Sequence, residues 1–159
     1  MSITANLIYD RTQADVDRWA VLKNKGYTAM TTAEKAEWNA GMRGAYTPSV
    51  DYNRVETAVK ALAELLNTLG YYTDVTTKTS WALTDIPAQE DLNRYLNNIT
   101  EIRSALTVAE STPAVPSDMS GLTWQEANDI EKILTDVEDA VKRIQLSFWN
   151  SGEIWSGER

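Results

Sequence analysis

Apolar positions along this chain recur mainly at helical spacing. Over residues 52–69, Val55, Val59, Leu62, Leu66 and Leu69 alternate steps of four and three, and Ala58 and Leu65 widen the stripe. Over 88–106 the same face is built from Leu92, Tyr95, Leu96, Ile99, Ile102 and Leu106. Over 124–149 it is built from Ala127, Ile130, Leu134, Val137, Val141, Ile144 and Phe148, broadened by Ile133 and Ala140. A bare three-four seam would suit a two-stranded coiled coil, whereas broad stripes suit helices that each pack on two neighbours. The pattern predicts an all-α fold. Three long helices at about 52–69, 88–106 and 124–149 form a bundle, with two shorter N-terminal helices beside it in one domain spanning 1–159.

Start and stop signals agree with this division. Thr12 followed by Asp15 opens the first short helix, which runs to Gly26 with Val16, Trp19 and Ala20 on one face. Thr31 and Glu34 form a capping-box pair, in which each side chain satisfies a backbone N–H of the other, and Gly41 offers a stop. Asp51 is a suitable N-cap for the third helix, and Gly70 suits the position just past its end. Pro87 precedes the fourth helix, whose first turn holds Gln89, Glu90 and Asp91, where acids favour the helix dipole. Thr123 and Glu126 make a second capping box, with Leu122 placed to staple the last helix.

Two stretches break the helical period. YYTDVTTKTSWALTDI, between the third and fourth helices, is rich in β-branched and aromatic residues and reads as an extended connector. It admits two readings: an irregular packed loop, which is at least as favoured, and a short two-stranded patch with residues 5–9 as partner. Residues 109–121 carry Pro113 and Pro116 and form a crossing connector.

The last helix is expected to end at Asn150, Ser151 and Gly152, leaving a short aromatic tail over 150–159. Leu146 and Trp149 lie off the apolar stripe. With Ile154 and Trp155 they form a candidate interface, covered either by the chain's own bundle or by another chain.

Composition removes more chemistry than it suggests. The chain has no Cys and no His, so thiol nucleophiles, thiolate zinc sites and imidazole bases are all missing. Close acidic pairs (Asp15 with Asp17, Glu34 with Glu37, Glu126 with Asp129) read as solvated helix faces rather than metal or acid–base sites. Gly41 and Gly44 in GMRGAY lack a phosphate-loop pattern and read as a helix stop and a turn. No catalytic residue, cofactor or metal is expected, and the chain does not read as an enzyme. The net charge of -8 falls entirely on residues 71–159, and no Lys/Arg cluster suits nucleic acid. No apolar run is long enough for a membrane span, and the N-terminus lacks a secretory-signal pattern. Six Trp and seven Tyr against one Phe favour surfaces with one wet edge. Trp19, Trp38, Trp81 and Trp124 read as fillers at the core margin.

Long strings of this sequence resemble an uncharacterised family of phage and prophage proteins from Gram-positive bacteria. They are RTQADVDR, KGYTAMTTAEKAEW, GAYTPSVDYNRVETAV, TDVTTKTSWALTDIPAQEDLNRYLNNI and LTWQEANDIEKILTDVEDAV, with SFWNSGEIWSGER at the end. Members are described as phage structural or tail-associated proteins. The resemblance implies a virion structural or adaptor protein of the tail or baseplate, made in the host cytoplasm and assembling with itself and other virion proteins. Two other readings stay open: a module binding a host-surface glycan or protein through exposed Trp and Tyr, and a small phage-encoded inhibitor of a host enzyme.

Overall fold

The computed structural model describes residues 2–156, with side chains described through Phe148. The described residues are all helical in their regular structure, in the order α1 Gln13–Lys25, α2 Thr32–Asn39, α3 Asn53–Thr68, α4 Gln89–Ser104 and α5 Trp124–Ser156. A single 3-10 turn, Tyr27–Ala29, links α1 to α2, and a π-helical turn, Pro48–Tyr52, leads into α3.

Helices α3, α4 and α5 pack on one another. Their apolar stripes meet in a core around Leu62, Leu66, Ile99, Ile102, Ile130 and Leu134. Fully covering such a side chain is worth roughly 1.5–3 kcal/mol, so these stripes dominate the drive to fold. By contrast, α1 buries only Leu22 and α2 buries none of its residues. The α1–α2 pair is therefore a lightly packed appendage on a three-helix core.

The local signals act largely as chemistry demands. Thr31 Oγ1 accepts from the Glu34 N–H at 3.2 Å while Glu34 Oε2 accepts from the Thr31 N–H at 2.7 Å. Thr123 and Glu126 repeat the arrangement at 3.2 and 2.8 Å. Gly70 stops α3 with φ +87°, a left-handed conformation that a side chain would strain, and Tyr71 N–H returns to Leu66 O at 2.9 Å.

Two expectations are corrected. Asp51 does not cap α3. It sits inside the π-helical turn, where its carboxylate accepts from the Thr47 N–H at 2.7 Å, and α3 begins at Asn53. Of the two readings left open for the Thr/Tyr-rich connector, the irregular packed loop is the one present, since it forms no strand among the described residues. Helix side chains satisfy its backbone instead. Asn98 takes both the N–H (3.2 Å) and the C=O (2.7 Å) of Thr76, Asn53 does the same for Trp81 at 2.7 and 2.9 Å, and Asn67 for Thr73. With those groups paired, a second strand is unnecessary.

The second correction concerns the C-terminus. Helix α5 does not stop at 149 but runs on through Asn150, Ser151 and Gly152 to Ser156, so residues 150–156 are helical backbone rather than a tail. A single Gly costs a helix only about 1 kcal/mol, and no Pro follows to break it. At 33 residues, α5 is about 50 Å long against about 24 Å for the 16 residues of α3 or α4. Its last buried described residue is Val141, so its far end outruns the bundle.

Candidate functional site

The N-terminal segment turns at residues 3–6, runs along α5 and is tied down by carboxylates that α5 buries. Glu138 accepts from the Ser2 hydroxyl at 2.8 Å, the Ile3 N–H at 3.0 Å, the Thr4 N–H at 3.1 Å and the Thr4 hydroxyl. One turn-pair earlier, Glu131 accepts from the Ile8 N–H at 2.6 Å. Asn128 then brackets Arg11, accepting its N–H at 3.0 Å and donating to its C=O at 3.0 Å. The strap thus runs along one face of α5, read by residues 128, 131 and 138.

At the centre of that face lies a buried four-charge cluster. Arg11 (3% exposed) donates to Glu131 (0% exposed) at 2.7 Å and to Asp51 at 3.1 Å. Arg54, the second residue of α3, donates to Glu131 at 3.0 and 2.7 Å and to Asp51 at 2.6 Å. Two guanidinium groups and two carboxylates balance in charge, which is what makes their burial tolerable. Burial works against the Arg54 charge, but the bonds to Glu131 and Asp51 outweigh it and raise its pKa.

Aromatic rings cover this cluster. The Arg11 guanidinium lies 5.3 Å from the centre of the Tyr46 ring, a cation–π contact. Tyr46 and Tyr95 share a hydroxyl–hydroxyl hydrogen bond of 2.6 Å, and Tyr52 packs 4.8 Å from Tyr95 and edge-on to Trp81 at 5.7 Å. Burial first, then the Asp51 and Glu56 charges, push the Tyr52 phenol up to about 12. All three phenols therefore stay neutral at ordinary pH, since burial raises Tyr46 and Tyr95 as well.

A second buried acid, Glu56, clamps the connector to α3 and α4. It accepts from Arg94 at 2.6 and 3.1 Å, from the Lys78 N–H at 2.6 Å and from the Trp81 indole N–H at 3.1 Å. The pattern is general here: buried Glu side chains on long helices hold irregular segments to the core.

Beside the four-charge cluster opens a cleft of about 570 Å³, between the start of α1, residues 43–47 and the entry to α5. Trp19, Tyr46 and Trp124 line it. A second cleft of about 440 Å³ shares Trp19 and Arg43 and reaches Trp38 and Leu83. Of the four Trp residues expected at the core margin, Trp81 is buried, while Trp19, Trp38 and Trp124 are half-exposed at these clefts. Gly44 is more than a turn. A Cβ added there would stand 2.0 Å from the Asp15 carbonyl oxygen, so its bareness lets the 43–47 stretch lie against α1.

Sequence reasoning missed Arg11, Asp51, Arg54, Glu56, Glu131 and Glu138 as a group. One signal was present: Glu131 and Glu138 are seven apart, and Glu131 lies four after Ala127, beside the apolar stripe. Of the close acidic pairs, all but Asp129 serve as caps or surface partners, Asp17 accepting from Gln13 at 2.9 Å. Asp15 and Glu126 cap their helices, Glu34 also pairs with Lys25 at 2.7 Å, and Glu37 pairs with Arg18 at 2.7 Å. Among the described residues no group of three or more acidic side chains could hold a metal ion.

Of the candidate interface, Leu146 is 63% exposed on the overrunning part of α5. The side chains of Trp149, Ile154 and Trp155 lie outside the described residues. Among the described residues, no helix is long and apolar enough to cross a membrane.

The fold and its clusters define an all-helical protein whose irregular segments are clamped by buried ion pairs. Comparison with protein-family models, curated proteins and solved structures gave no match.

Proposed function

We propose that this is a phage virion structural or adaptor protein of the tail or baseplate, acting through protein–protein assembly rather than catalysis. The observation that carries the reading is the far end of α5. Beyond Val141 no described residue of α5 is fully buried, and Leu146 (63% exposed) and Phe148 (72% exposed) stand there. With Leu69 at the end of α3 they line a groove of about 720 Å³. Covering large apolar side chains is favourable by about 1.5–3 kcal/mol each, so a partner surface gains by docking here. The sequence strings that resemble phage structural proteins support the same reading.

Light scattering on the purified chain, alone and co-expressed with neighbouring gene products, tests the proposal. Wild type is expected to assemble with itself or a neighbour. Leu146→Asp, or removal of residues 153–159, should reduce that assembly more than it lowers the melting temperature. A chain that stays monomeric with every neighbour, or a truncation that unfolds readily at unchanged oligomeric state, would overturn it.

A further inference from the structure

The cleft beside the four-charge cluster has the chemistry of a binding site, and it lies at the opposite end of α5 from the assembly surface. In a chain of net charge -8, the residues lining it include two arginines, Arg11 and Arg43, and no carboxylate. Its aromatic walls are held in place. The Trp124 indole N–H donates to Gln13 Oε1 at 3.2 Å, and Gln13 in turn donates to Asp17 at 2.9 Å. Tyr46 is fixed by its 2.6 Å bond to Tyr95 and by the Arg11 guanidinium near its ring. Trp19 has the Lys23 ammonium 4.6 Å from its ring centre.

Donors at the cleft outnumber their partners. Arg43 engages only Nη2, with Asp10, and both residues are well exposed at 44% and 75%. Exchanging so exposed an ion pair for another anion costs little. Among the described residues neither the Trp19 indole N–H nor the Gln125 amide has a hydrogen-bond partner, and the buried Arg11 Nε has none. Flat aromatic faces with scattered donors and one available guanidinium select a particular ligand shape. The ligand needs an apolar face to stack, several oxygen acceptors around its edge, and one anionic group for the bidentate fork of Arg43.

We infer that the cleft formed by Trp19, Tyr46, Trp124 and Arg43 binds an acidic saccharide, a pyranose unit carrying a carboxylate. Its volume of about 570 Å³ accommodates two sugar rings. The C–H face of one ring stacks on indole, its hydroxyls accept from Trp19 and Gln125, and the carboxylate displaces Asp10 from Arg43. The inference is independent of the assembly reading, because it rests on residues from α1, the 43–47 stretch and the start of α5.

A matched pair of probes isolates the carboxylate: cellobiouronic acid and cellobiose, which differ only in that group. Each is titrated into the full-length protein while the tryptophan indole N–H signals are followed by NMR, with Trp19→Phe and Trp124→Phe assigning two of them. Cellobiouronic acid should move the Trp19 and Trp124 signals with a Kd on the order of 1 mM, and cellobiose should bind about threefold more weakly, as an exposed ion pair allows. Arg43→Gln should lose the same factor of about three while keeping the wild-type melting temperature, since its ion pair is exposed. Gln125→Ala, at an exposed position, should weaken binding without disturbing the fold. Absence of any indole shift at about 20 mM, some twenty times that Kd, overturns the inference. So do equal responses to the two probes, or a response in Arg43→Gln equal to wild type.

Discussion

Replacing Glu131 by Gln tests whether the four-charge cluster holds the strap, α3 and α5 together. Glu131 is fully buried and accepts four hydrogen bonds: one from the Ile8 N–H at 2.6 Å, one from Arg11 at 2.7 Å, and two from Arg54 at 3.0 and 2.7 Å. Gln keeps the volume and one acceptor oxygen, but it turns an amide NH2 toward guanidinium donors and removes a negative charge. Two buried cations then face Asp51 alone. Breaking a buried pair from one side costs about 3–5 kcal/mol, a large part of the roughly 5–15 kcal/mol that holds a domain folded. The assay is urea unfolding followed by circular dichroism, with an unchanged denaturant slope showing that the unfolded state is unaffected. A double replacement sharpens it. Arg11→Met with Glu131→Leu leaves Arg54 and Asp51 matched one to one, so the double variant should cost less than the two singles summed, by about 1–3 kcal/mol. A cost below about 1 kcal/mol for Glu131→Gln, or strict additivity in the cycle, would falsify the view that these charges act as one unit.

Three further outcomes follow from the packing and the titrating groups. Gly44→Ala should destabilise by about 1–3 kcal/mol, because the new methyl meets backbone atoms of Asp15 and Val16 that no rotamer change can move; a melting temperature within one degree of wild type would contradict this. Leu134→Ala, at a fully buried position, should cost about 2–5 kcal/mol in urea unfolding, and a loss under about half a kcal/mol would mean the α5 stripe does not fill the core. Burial alone would raise the Glu138 carboxyl, but bonds from Thr4, Ser2 and the Ile3 and Thr4 N–H groups hold it at about 2. A depressed folded pKa means its contribution is complete above the ordinary carboxylate range and fades as the pH falls toward 2. The Ile3 and Thr4 amide shifts should therefore titrate at that low pH, and Glu138→Gln should abolish the transition; a midpoint near 4.5 in wild type would refute the clamp.

Much of the fold was legible because it is set locally. The stripes of α3, α4 and α5 follow from 3.6-residue periodicity, and the Thr31–Glu34 and Thr123–Glu126 boxes close within three residues. The end of α5 was misread for a related reason: Asn150, Ser151 and Gly152 weaken a helix without forbidding one, so local propensity could not place the stop. Asp51 shows the limit from the other side. As a residue before a helix it has the chemistry of a cap, yet a guanidinium forty residues away, that of Arg11, claims one of its oxygens.

The candidate sites belong almost wholly to tertiary structure. Arg11 and Glu131 are separated by 120 residues, and neither carries a local sign that it will be buried. A charged side chain reads as solvent-facing until a partner of opposite charge is brought to it, because burial of one charge is prohibitive and burial of the pair is not. The same holds for Gly44, whose missing Cβ matters only because α1 lies against it, and for Trp19 and Trp124, which become cleft walls only when α1 meets the start of α5. The chain's own pattern therefore determined helix content, helix starts and the apolar faces, since each depends on neighbours a turn or two away. Which charges are buried, what holds the irregular segments and where a cleft opens were decided by contacts between distant residues, because the free energy of a buried charge is settled by its partner and not by its place in the sequence.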